Sequence, residues 1–566
     1  MPRLGFLREG RRVTVTLVTA AALAAALWAV VSPPGADDLV GGDEGYYGTM
    51  ARNVLASPQQ LVSPSLSPLG PPGDKPPLYP LLLAPLVRVW GAVPAAVRAP
   101  SAVFAAVVTA ALGIWLVPVA GAGAALFATL LLATLPWFAD ATRTAAAELP
   151  LTAFTLLALV LLAGAPRSRS RAVMAGALLG LAFLCKLWLV APAALAAAAL
   201  VAARDRRGVL NLVLLTLTAL LVAASHLLLV AIAQPADLDH WRYIYLGRSL
   251  VERVQGEGYA DYWRKPPGTY WAIMTRAFGL VLPWIANGIA AAWRRRSEPM
   301  PRALLVWACG LFLLSSFDVK SGGYAFVVMP AWAGLAALGI SEAAAGRMPG
   351  IRLLALGALL TSPLLALIGA NSLPWPAWAV VWGSAMFVTL FARMFHGSGR
   401  RLVIACAVLA LTIGGARTVQ RMHVRFHTPG YEAVAQLVAP RLARVDPATA
   451  CYVAPEAPVF AYHLFRTGQY WATPDRPWNA VRLEQVQADT RLQVFVVDTS
   501  RTFYGGWPDD ATLAWLVRDL REVTGELSGK AASGPLRVFV REPRAVANPP
   551  IPVPAEADST TPAGTL

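Results

Sequence analysis

The chain has 566 residues, of which 57% are hydrophobic and 14% are charged, and its mean hydropathy is +0.54. Apolar stretches of about 20 residues, long enough to cross the hydrocarbon core of a bilayer, recur along the first three quarters of the sequence. This composition excludes a soluble globular protein and indicates a polytopic α-helical membrane protein.

The net charge of +16 does not indicate a nucleic-acid-binding protein, because the arginines cluster in short links between apolar segments. Such links are typical of cytoplasmic loops, whose positive charge sets the orientation of a membrane protein. The four cysteines show neither a disulfide framework nor the spacing of a zinc site. The basic links contain Arg8, Arg11 and Arg12; Arg167, Arg169 and Arg171; Arg204, Arg206 and Arg207; Arg294, Arg295 and Arg296; and Arg400 and Arg401.

The basic N-terminus is expected in the cytoplasm, so residues 13–31 form a first span that crosses outward. This segment lacks a small-residue cleavage site and many spans follow it, which favours an uncleaved helix over a signal peptide. Residues 32–100, the first outer loop, carry two polar motifs, Asp43-Glu44-Gly45-Tyr46-Tyr47 and Asp74-Lys75-Pro76-Pro77. Residues 45–56 are predicted to form a short helix on the membrane, and residues 78–90 an apolar segment at the interface.

The next two spans are predicted at residues 101–119 and 122–138, and a fourth at residues 149–163, directly after Glu148. The apolar run 172–203 is too long for one ordinary span and short for two, and Lys186 interrupts it. We interpret it as two short helices that meet near Lys186 at the outer surface. The alternative is one long tilted helix with Lys186 snorkelling, but that would place the Arg204 cluster outside.

A seventh span at residues 209–233 leads to a second outer loop, residues 234–270, which is rich in aromatic and cationic residues. Six further spans follow, and the outer turn after the ninth contains Lys320. The total of thirteen spans places the C-terminus outside. Residues 1–416 therefore form the predicted membrane domain.

The sequence pattern changes in residues 417–545, where short alternating apolar runs predict strands at 450–454, 492–497 and 536–540. Amphipathic helices are predicted at 431–444 and 510–523. These elements indicate a small extracytoplasmic α/β domain. The last residues, 546–566, are rich in proline and predicted to be disordered.

The predicted topology brings polar residues from distant loops to one outer face, opposite the arginine links. A carboxylate there can remove the proton of a hydroxyl acceptor, and lysine or arginine can stabilise a phosphate leaving group. Asp43 and Glu44 are adjacent on a helix and do not share a face, so one is expected in the site and the other to orient it. The residues that converge are Asp43, Glu44, Lys75, Glu148, Lys186, the Trp241 loop and Lys320.

Each of these residues also has an ordinary explanation. An acidic loop residue is usually only solvated, Glu148 can serve as a helix-dipole partner, and Lys75 and Lys320 can contact lipid headgroups. It is their coincidence on one face that favours a site. Paired carboxylates can hold a divalent cation, but the sequence shows no convergent ligand spacing, so a metal is left open.

The order of these motifs over residues 13–345 resembles the GT-C fold glycosyltransferases that use dolichyl- or polyprenyl-phosphate sugars. It is similar to the lipid A aminoarabinose transferases and the protein O-mannosyltransferases. The resemblance implies that Asp43 is the catalytic base, with Glu148 and Glu44 in support. It further implies donor-phosphate contacts by Lys75, Lys186, Lys320 and Arg248. The residues expected to line the substrate are Tyr46, Tyr47, Trp241, Tyr243, Lys265 and Tyr324.

The sequence departs from the family where Tyr46 and Arg248 stand and in the Lys-Ser-Gly-Gly run before Tyr324, which indicates a distinct sugar or acceptor. The resemblance implies an inverting transfer from a polyprenyl-phosphate donor to a lipid, glycan or protein hydroxyl, at the outer face of the plasma membrane. One alternative is a transporter or flippase of a lipid-linked sugar, but we find no inverted repeat. Another is a non-catalytic membrane scaffold, which leaves the buried cations and the Asp-Glu motif unexplained.

Overall fold

A computed structural model of the chain describes most of the membrane domain and parts of the C-terminal region. The predicted first span, the predicted eleventh and twelfth spans, Lys320 and the C-terminal tail lie outside the described residues. The described residues are 39, 43–66, 72–164, 168–202, 205–255, 265–266, 268–318, 322–347, 407–416, 430–442, 452–453, 457–465, 483–488, 490, 492–498, 510–527 and 535–541.

The described residues are mostly α-helical. The helices of the membrane domain are α1 (Asp43–Ala56), α2 (Gln59–Val62), α3 (Leu78–Trp90), α4 (Pro94–Ala120), α5 (Ala122–Ala133), α6 (Pro136–Thr142), α7 (Glu148–Gly164), α8 (Arg169–Lys186), α9 (Ala191–Val201), α10 (Arg206–Ala233), α11 (Leu238–Arg242), α12 (Arg253–Gln255), α13 (Thr269–Phe278), α14 (Leu282–Arg294), α15 (Pro299–Ser315), α16 (Met329–Ala344) and α17 (Ala407–Ala416). A π-helix, Tyr243–Glu252, joins α11 to α12, and 3₁₀ turns stand at Leu187–Val190, Pro235–Asp237, Gly279–Val281 and Gly322–Val328.

Four helical segments of the described chain are long and apolar enough to cross a membrane: Pro94–Ala120, Arg169–Val201, Arg206–Ala233 and Gly323–Ala344. Two bent helix pairs could each form one more span, which gives up to six. The molecule is therefore polytopic. The figure of thirteen spans stays a prediction, since several of the predicted segments lie outside the described residues.

The spans pack around an apolar core that is rich in alanine and leucine. Helices α14 and α16 approach so closely that a Cβ atom on Gly288 would meet the carbonyl oxygen of Leu335, and one on Gly339 that of Trp284. Their glycines let the two backbones touch, as is common between membrane helices.

Three predicted spans differ from the structure. The second begins earlier, at Pro94, which occupies the first turn of α4, where its missing N–H costs no hydrogen bond. The third is bent by 68° between α5 and α6. The eighth is bent by 107° between α13 and α14. In both bends a proline lies in the first turn of the following helix, at Pro136 and at Pro283.

The long apolar run changes direction directly after Lys186. Leu187 has φ 54° and ψ −134°, and among the described residues it alone has a positive φ without being glycine. Helices α8 and α10 run parallel, since a Cβ atom on Gly176 would meet Leu215 and one on Gly180 would meet Ala219. Helix α9, which lies between them in the chain, therefore leads back from Lys186. The contacts thus favour two short helices that meet at Lys186, although helical structure is continuous from Arg169 to Val201.

The described part of the second outer loop is largely helical between residues 235 and 255, which the sequence did not indicate. Its π-helix turns Tyr245 toward helix α10, where the Tyr245 hydroxyl donates to Nδ1 of His226 at 2.7 Å. The other ring nitrogen of His226 donates to the carbonyl of Val62, also at 2.7 Å. Because the Val62 carbonyl can only accept, the histidine tautomer is fixed. This chain of hydrogen bonds ties the first outer loop to α10.

The C-terminal region contains the predicted strands and helices. Its elements are α18 (Tyr431–Leu442), β1 (Tyr452–Val453), α19 (Ala457–Phe465), α20 (Leu483–Ala488), β2 (Val494–Asp498), α21 (Asp510–Asp519), β3 (Arg521–Glu522), a 3₁₀ turn at Thr524–Glu526 and β4 (Leu536–Val540). The sheet has the order β1-β2-β4-β3, and only the β1–β2 pair is parallel. One apolar cluster joins α18, α19 and the sheet to α1, α3 and the start of α4.

Candidate active site

Helix α1 begins at Asp43, so two carboxylates occupy its first turn, where the positive end of the helix dipole favours them. The opposite face of α1 is held by the C-terminal region. Gly45 and Gly48 let α19 approach, and Arg52, one turn further, is fully buried and donates a hydrogen bond to the carbonyl of Ala461. The start of α1 is therefore fixed by contacts on both sides.

Asp43 lies in a chain of ion pairs drawn from four separate parts of the sequence. Its Oδ1 is 3.2 Å from Nζ of Lys75, and its Oδ2 is 2.9 Å from Nζ of Lys186. The Lys186 ammonium also donates to Glu148 Oε1 at 2.7 Å. The Asp43 side chain is 43% exposed, whereas those of Lys186 and Glu148 are nearly buried. Asp43 is thus the solvent-accessible end of this chain.

These ion pairs shift the pKa values of Asp43 and Lys75. Burial alone would raise the pKa of Asp43, but the positive charges of Lys186 and Lys75 outweigh it and hold that pKa well below its usual range. Burial would lower the pKa of Lys75, but Asp43 and Asp74 raise it on balance. Asp43 is therefore a weak base as long as both lysines contact it.

A second group of contacts lies beside the first. Arg248 on the π-helix forms an ion pair with Asp74 at 3.1 Å, and the backbone N–H of Asp74 donates to the Tyr46 hydroxyl at 3.3 Å. The Lys75 ammonium lies 5.4 Å from the centroid of the Tyr46 ring, within the range of a cation–π contact. Burial opposes the charge of Asp74, but Lys75 and Arg248 keep its pKa below the usual value.

Charge is balanced in the described part of this site. Three carboxylates and three cations contact one another, and each cation has a carboxylate within 3.2 Å. An anionic ligand that binds the cations must therefore compete with the carboxylates. The six residues are Asp43, Asp74, Glu148, Lys75, Lys186 and Arg248.

Tyr324 and Tyr47 flank the lysines in different ways. Tyr324 is 9% exposed and carries the Arg253 guanidinium over its ring, 4.7 Å from the centroid. Tyr47 is fully buried and packs edge-to-face on Tyr79, with the ring centroids 4.9 Å apart. Tyr47 therefore does not line an open substrate surface in this structure, contrary to the expectation from sequence.

Glu44 points away from this site. It is 2% exposed, forms a two-pronged ion pair with Arg98 at 2.8 and 2.9 Å, and accepts the backbone N–H of Ala145 at 3.2 Å. These contacts fix α1 against α4 and the segment before α7. Glu44 is thus placed to orient α1 and not to touch the groups around Asp43.

The described contacts of three other expected lining residues are not with the lysines. Trp241 is fully buried, and its Nε1 donates to Ser63 Oγ at 2.9 Å, so it packs in the interior between the two outer loops. Tyr243 is exposed and its hydroxyl donates to Glu252 at 2.5 Å. Lys265 is exposed, and its described backbone contact is with the carbonyl of Asp318. An aromatic residue in a sequence does not reveal whether it packs inside or faces a ligand.

Sequence reasoning missed Asp74, Arg98 and Arg253. Asp74 directly precedes Lys75, so its charge was visible, but its pairing with Arg248 depends on how two distant loops meet. Arg98 gave a weaker signal, since it lies in the first turns of an apolar helix where a charge needs a partner. Arg253 is one of the cations of the second outer loop, but nothing in the sequence indicated its contact with Tyr324.

Among the described residues, no group of three or more His, Cys, Asp or Glu side chains is arranged to hold a metal ion. The arrangement does provide one accessible carboxylate beside several cations. Such a site can bind a phosphate group and accept a proton from a neighbouring hydroxyl.

Comparison with known proteins identifies the fold. The family model of the dolichyl-phosphate-mannose-protein mannosyltransferases matches residues 74–231, a stretch that includes Lys75, Glu148 and Lys186. No curated protein matches the sequence.

Two solved proteins are similar in structure. ArnT from Cupriavidus metallidurans bound to undecaprenyl phosphate has a TM-score of 0.61 and 19% identity, over 94% of this chain and 99% of that one. Its apo state has a TM-score of 0.59 and 19% identity, over 96% and 100%. The archaeal oligosaccharyltransferase AglB from Archaeoglobus fulgidus, in complex with an inhibitory peptide and a dolichol-phosphate, has a TM-score of 0.56 and 15% identity, over 86% and 69%. These likenesses show that the chain is a polytopic membrane protein with the GT-C fold.

Proposed function

We propose that the protein transfers a sugar from a polyprenyl-phosphate donor to a hydroxyl group of a lipid, glycan or protein acceptor. The observation that carries this proposal is the contact of one accessible carboxylate, Asp43, with two lysines from separate segments. ArnT and AglB, which share the fold, were solved with undecaprenyl phosphate and with dolichol-phosphate. A lipid phosphate is the ligand that the lysines suit.

In the proposed reaction the donor phosphate binds at Lys75 and Lys186 and takes over part of their hydrogen bonding from Asp43. Asp43, released from one or both ammonium groups, becomes a stronger base. It accepts the proton of the acceptor hydroxyl as the acceptor oxygen attacks the anomeric carbon. The bond from that carbon to the phosphate oxygen breaks, and its electron pair leaves with the polyprenyl phosphate.

The supporting residues have distinct tasks in this proposal. Lys75 and Lys186 stabilise the charge that develops on the leaving phosphate. Glu148 keeps the nearly buried Lys186 ammonium in place through its 2.7 Å hydrogen bond. A single displacement of this kind inverts the anomeric configuration. The donor and acceptor enter from the side where Asp43 is exposed.

We further propose that this side is extracytoplasmic, with the N-terminus in the cytoplasm and the C-terminal α/β domain outside. The basic link Arg294–Arg296, which is expected on the cytoplasmic side, supports this orientation, because it comes directly before α15. The start of α15 lies against the end of α9 that is remote from Lys186. The division into a membrane domain, residues 1–416, and a C-terminal domain, residues 417–545, also remains part of the proposal.

The test is transfer of radiolabelled sugar from a panel of polyprenyl-phosphate donors, in membranes that contain equal amounts of wild type or Asp43→Asn. We expect Asp43→Asn to abolish transfer. It should also bind undecaprenyl phosphate more tightly than the wild type, because the competing carboxylate is gone. Asp239→Asn, which removes one partner of an exposed ion pair with Arg242, is the matched control and should transfer normally.

If Asp43→Asn transfers at the wild-type rate, Asp43 is not the base. If no donor is consumed by the wild type, the transfer reaction itself is wrong, and a transporter of lipid-linked sugars becomes the better explanation. Weaker undecaprenyl phosphate binding by Asp43→Asn would contradict the proposed competition between Asp43 and the phosphate.

A further inference from the structure

The Tyr47 hydroxyl is a buried polar group that has no part in the ion pairs described above. Tyr47 is fully buried, and within the described part of the chain its oxygen has no hydrogen-bond partner. A buried, unpaired hydroxyl is costly, and such groups are rare in folded proteins. The cost suggests that the hydroxyl acquires a partner in another state of the site.

The position of Tyr47 indicates which groups can become that partner. It follows Asp43 by four residues on α1, so the two side chains lie on the same face of the helix. A tyrosine side chain in a helix leans back toward the preceding turn, which here contains Asp43. The Lys186 ammonium and the carboxylates of Asp43 and Glu148 all interact electrostatically with the Tyr47 hydroxyl.

While the lysines remain in place, their ammonium groups hold the Asp43 carboxylate, and the Tyr47 hydroxyl makes no hydrogen bond to it. If the donor phosphate draws the lysines away, as proposed above, Asp43 loses the contacts that orient it. The hydroxyl is neutral, since burial raises its pKa well above the usual range, so it has a proton to donate.

We infer that Tyr47 is a positioning residue that donates a hydrogen bond to Asp43 once the donor phosphate has engaged the lysines. This inference rests on the proposed function. It assigns to a buried tyrosine the task of holding the base in its reactive orientation during transfer. Tyr47 acts through Asp43 and does not touch the substrates.

The titratable groups around Asp43, Tyr47 and the two lysines come from every element packed against them. Tyr47→Phe leaves all of them in place, because the substitution removes only the Tyr47 hydroxyl. They are Lys75 and Asp74 before α3, Tyr79 on α3, Glu148 on α7, Lys186 on α8 and Tyr324 after α15.

The test compares the pH dependence of kcat and of kcat/KM in wild type and Tyr47→Phe. The value of kcat/KM reports the free enzyme and kcat the enzyme with substrates bound. The acid limb of kcat should move up by about 1 pH unit in Tyr47→Phe, because a hydrogen bond to the ionised carboxylate is lost. The acid limb of kcat/KM should stay where it is, and the plateau of kcat should fall about 10-fold.

Tyr79→Phe is the matched control. The Tyr79 ring is also fully buried, but its hydroxyl is hydrogen-bonded to Ser101 Oγ at 2.8 Å. This variant should have a lower Tm than the wild type with both acid limbs unchanged. Tyr47→Phe should melt at the wild-type Tm or above it, since it removes an unpaired buried hydroxyl. A purely structural role for Tyr47 would give a lower Tm and no movement of the kcat limb.

An unchanged acid limb of kcat in Tyr47→Phe, or an equal movement of both limbs, would overturn the inference and leave the proposed transfer intact. Failure of the proposed function would give a different experimental result. In that case the wild type transfers no sugar, or Asp43→Asn transfers normally, and the inference falls with it.

Discussion

Asp43 and Glu44 are neighbours in the sequence, yet their side chains have unrelated surroundings. Side chains of adjacent residues on a helix point in directions about 100° apart, so they meet different elements. Asp43 reaches the two lysines and remains accessible. Glu44 is buried against Arg98 and the backbone of Ala145. One carboxylate is available for chemistry, and the other holds the helix that carries it.

Replacing Glu44 by glutamine should therefore lower stability, because it leaves the Arg98 guanidinium largely buried without its charge partner. Breaking a buried ion pair in this way costs on the order of 3 kcal/mol. Glu298→Gln is the control: its pair with Arg295 is exposed and contributes about 1 kcal/mol or less. Thermal unfolding in detergent measures both variants. Equal Tm values for the two would show that the Glu44–Arg98 pair does not hold α1.

At the residue scale, the sequence was sufficient to predict which charged residues come together, because charge is unexpected in so apolar a protein. Asp43, Lys75, Glu148 and Lys186 were predicted to converge, and they do contact one another. Their catalytic and binding roles stay predictions. The sequence did not distinguish Trp241, which is buried, from a residue that faces substrate. Burial of an aromatic side chain depends on the approach of two loops that are remote in the chain.

At the scale of elements, α1 is clamped by a helix from the other end of the chain. A Cβ atom on Gly45 would lie 2.7 Å from the backbone nitrogen of Val459 and would also overlap the Val459 side chain. Tyr462, one turn further along α19, packs on Gly48 and donates to the carbonyl of Val93 at 3.1 Å. The glycines of the Asp-Glu motif thus serve a helix–helix contact.

Gly45→Ala should force α19 away from α1 and destabilise the protein by about 1–3 kcal/mol, the usual cost of overpacking. Transfer activity should fall as well, since Asp43 lies two residues away. Gly123→Ala provides the comparison, because Gly123 is helical and has open space where the Cβ would stand. It should be neutral or slightly stabilising. If Gly45→Ala had the Tm and activity of Gly123→Ala, the close contact of α19 with α1 would not be what holds α1 in place.

Helix positions were predictable from apolar length, and the ends of α7 and β4 differ little from the expected ones. The bends were not predicted, because hydropathy averages over a window and does not register where a span breaks. A proline at the start of α6 and another at the start of α14 were the available signals. The π-helix was not predicted either, because its apolar residues show no period that distinguishes it in the sequence. It widens the helical turn that carries Arg248 toward Asp74.

At the scale of the whole molecule, the membrane domain and the C-terminal region share an apolar core. Residues of α1, α3 and α4 belong to the same buried cluster as α18, α19 and strands of the sheet. A boundary between domains usually carries few contacts, and here the contacts run across it. The described part of the C-terminal region packs against α1, the helix that carries Asp43.

We therefore expect the protein to unfold in a single cooperative transition, with both parts losing structure together. Differential scanning calorimetry in detergent should show one peak, and limited proteolysis should not release a stable fragment that spans residues 430–541. Two separated peaks, or a protease-resistant C-terminal fragment that stays folded, would mean that the shared core contributes little to either part.

The contact of both Asp43 oxygens with lysine ammonium groups also bears on the order in which substrates combine with the enzyme. An acceptor that arrives at the empty site meets a carboxylate that is exposed but whose charge is held by two ammonium groups, and so does a water molecule. In the proposed mechanism, Asp43 becomes a strong enough base only after the lipid donor has engaged the lysines. The proposal therefore predicts that the empty site activates water poorly and that the donor adds before the acceptor.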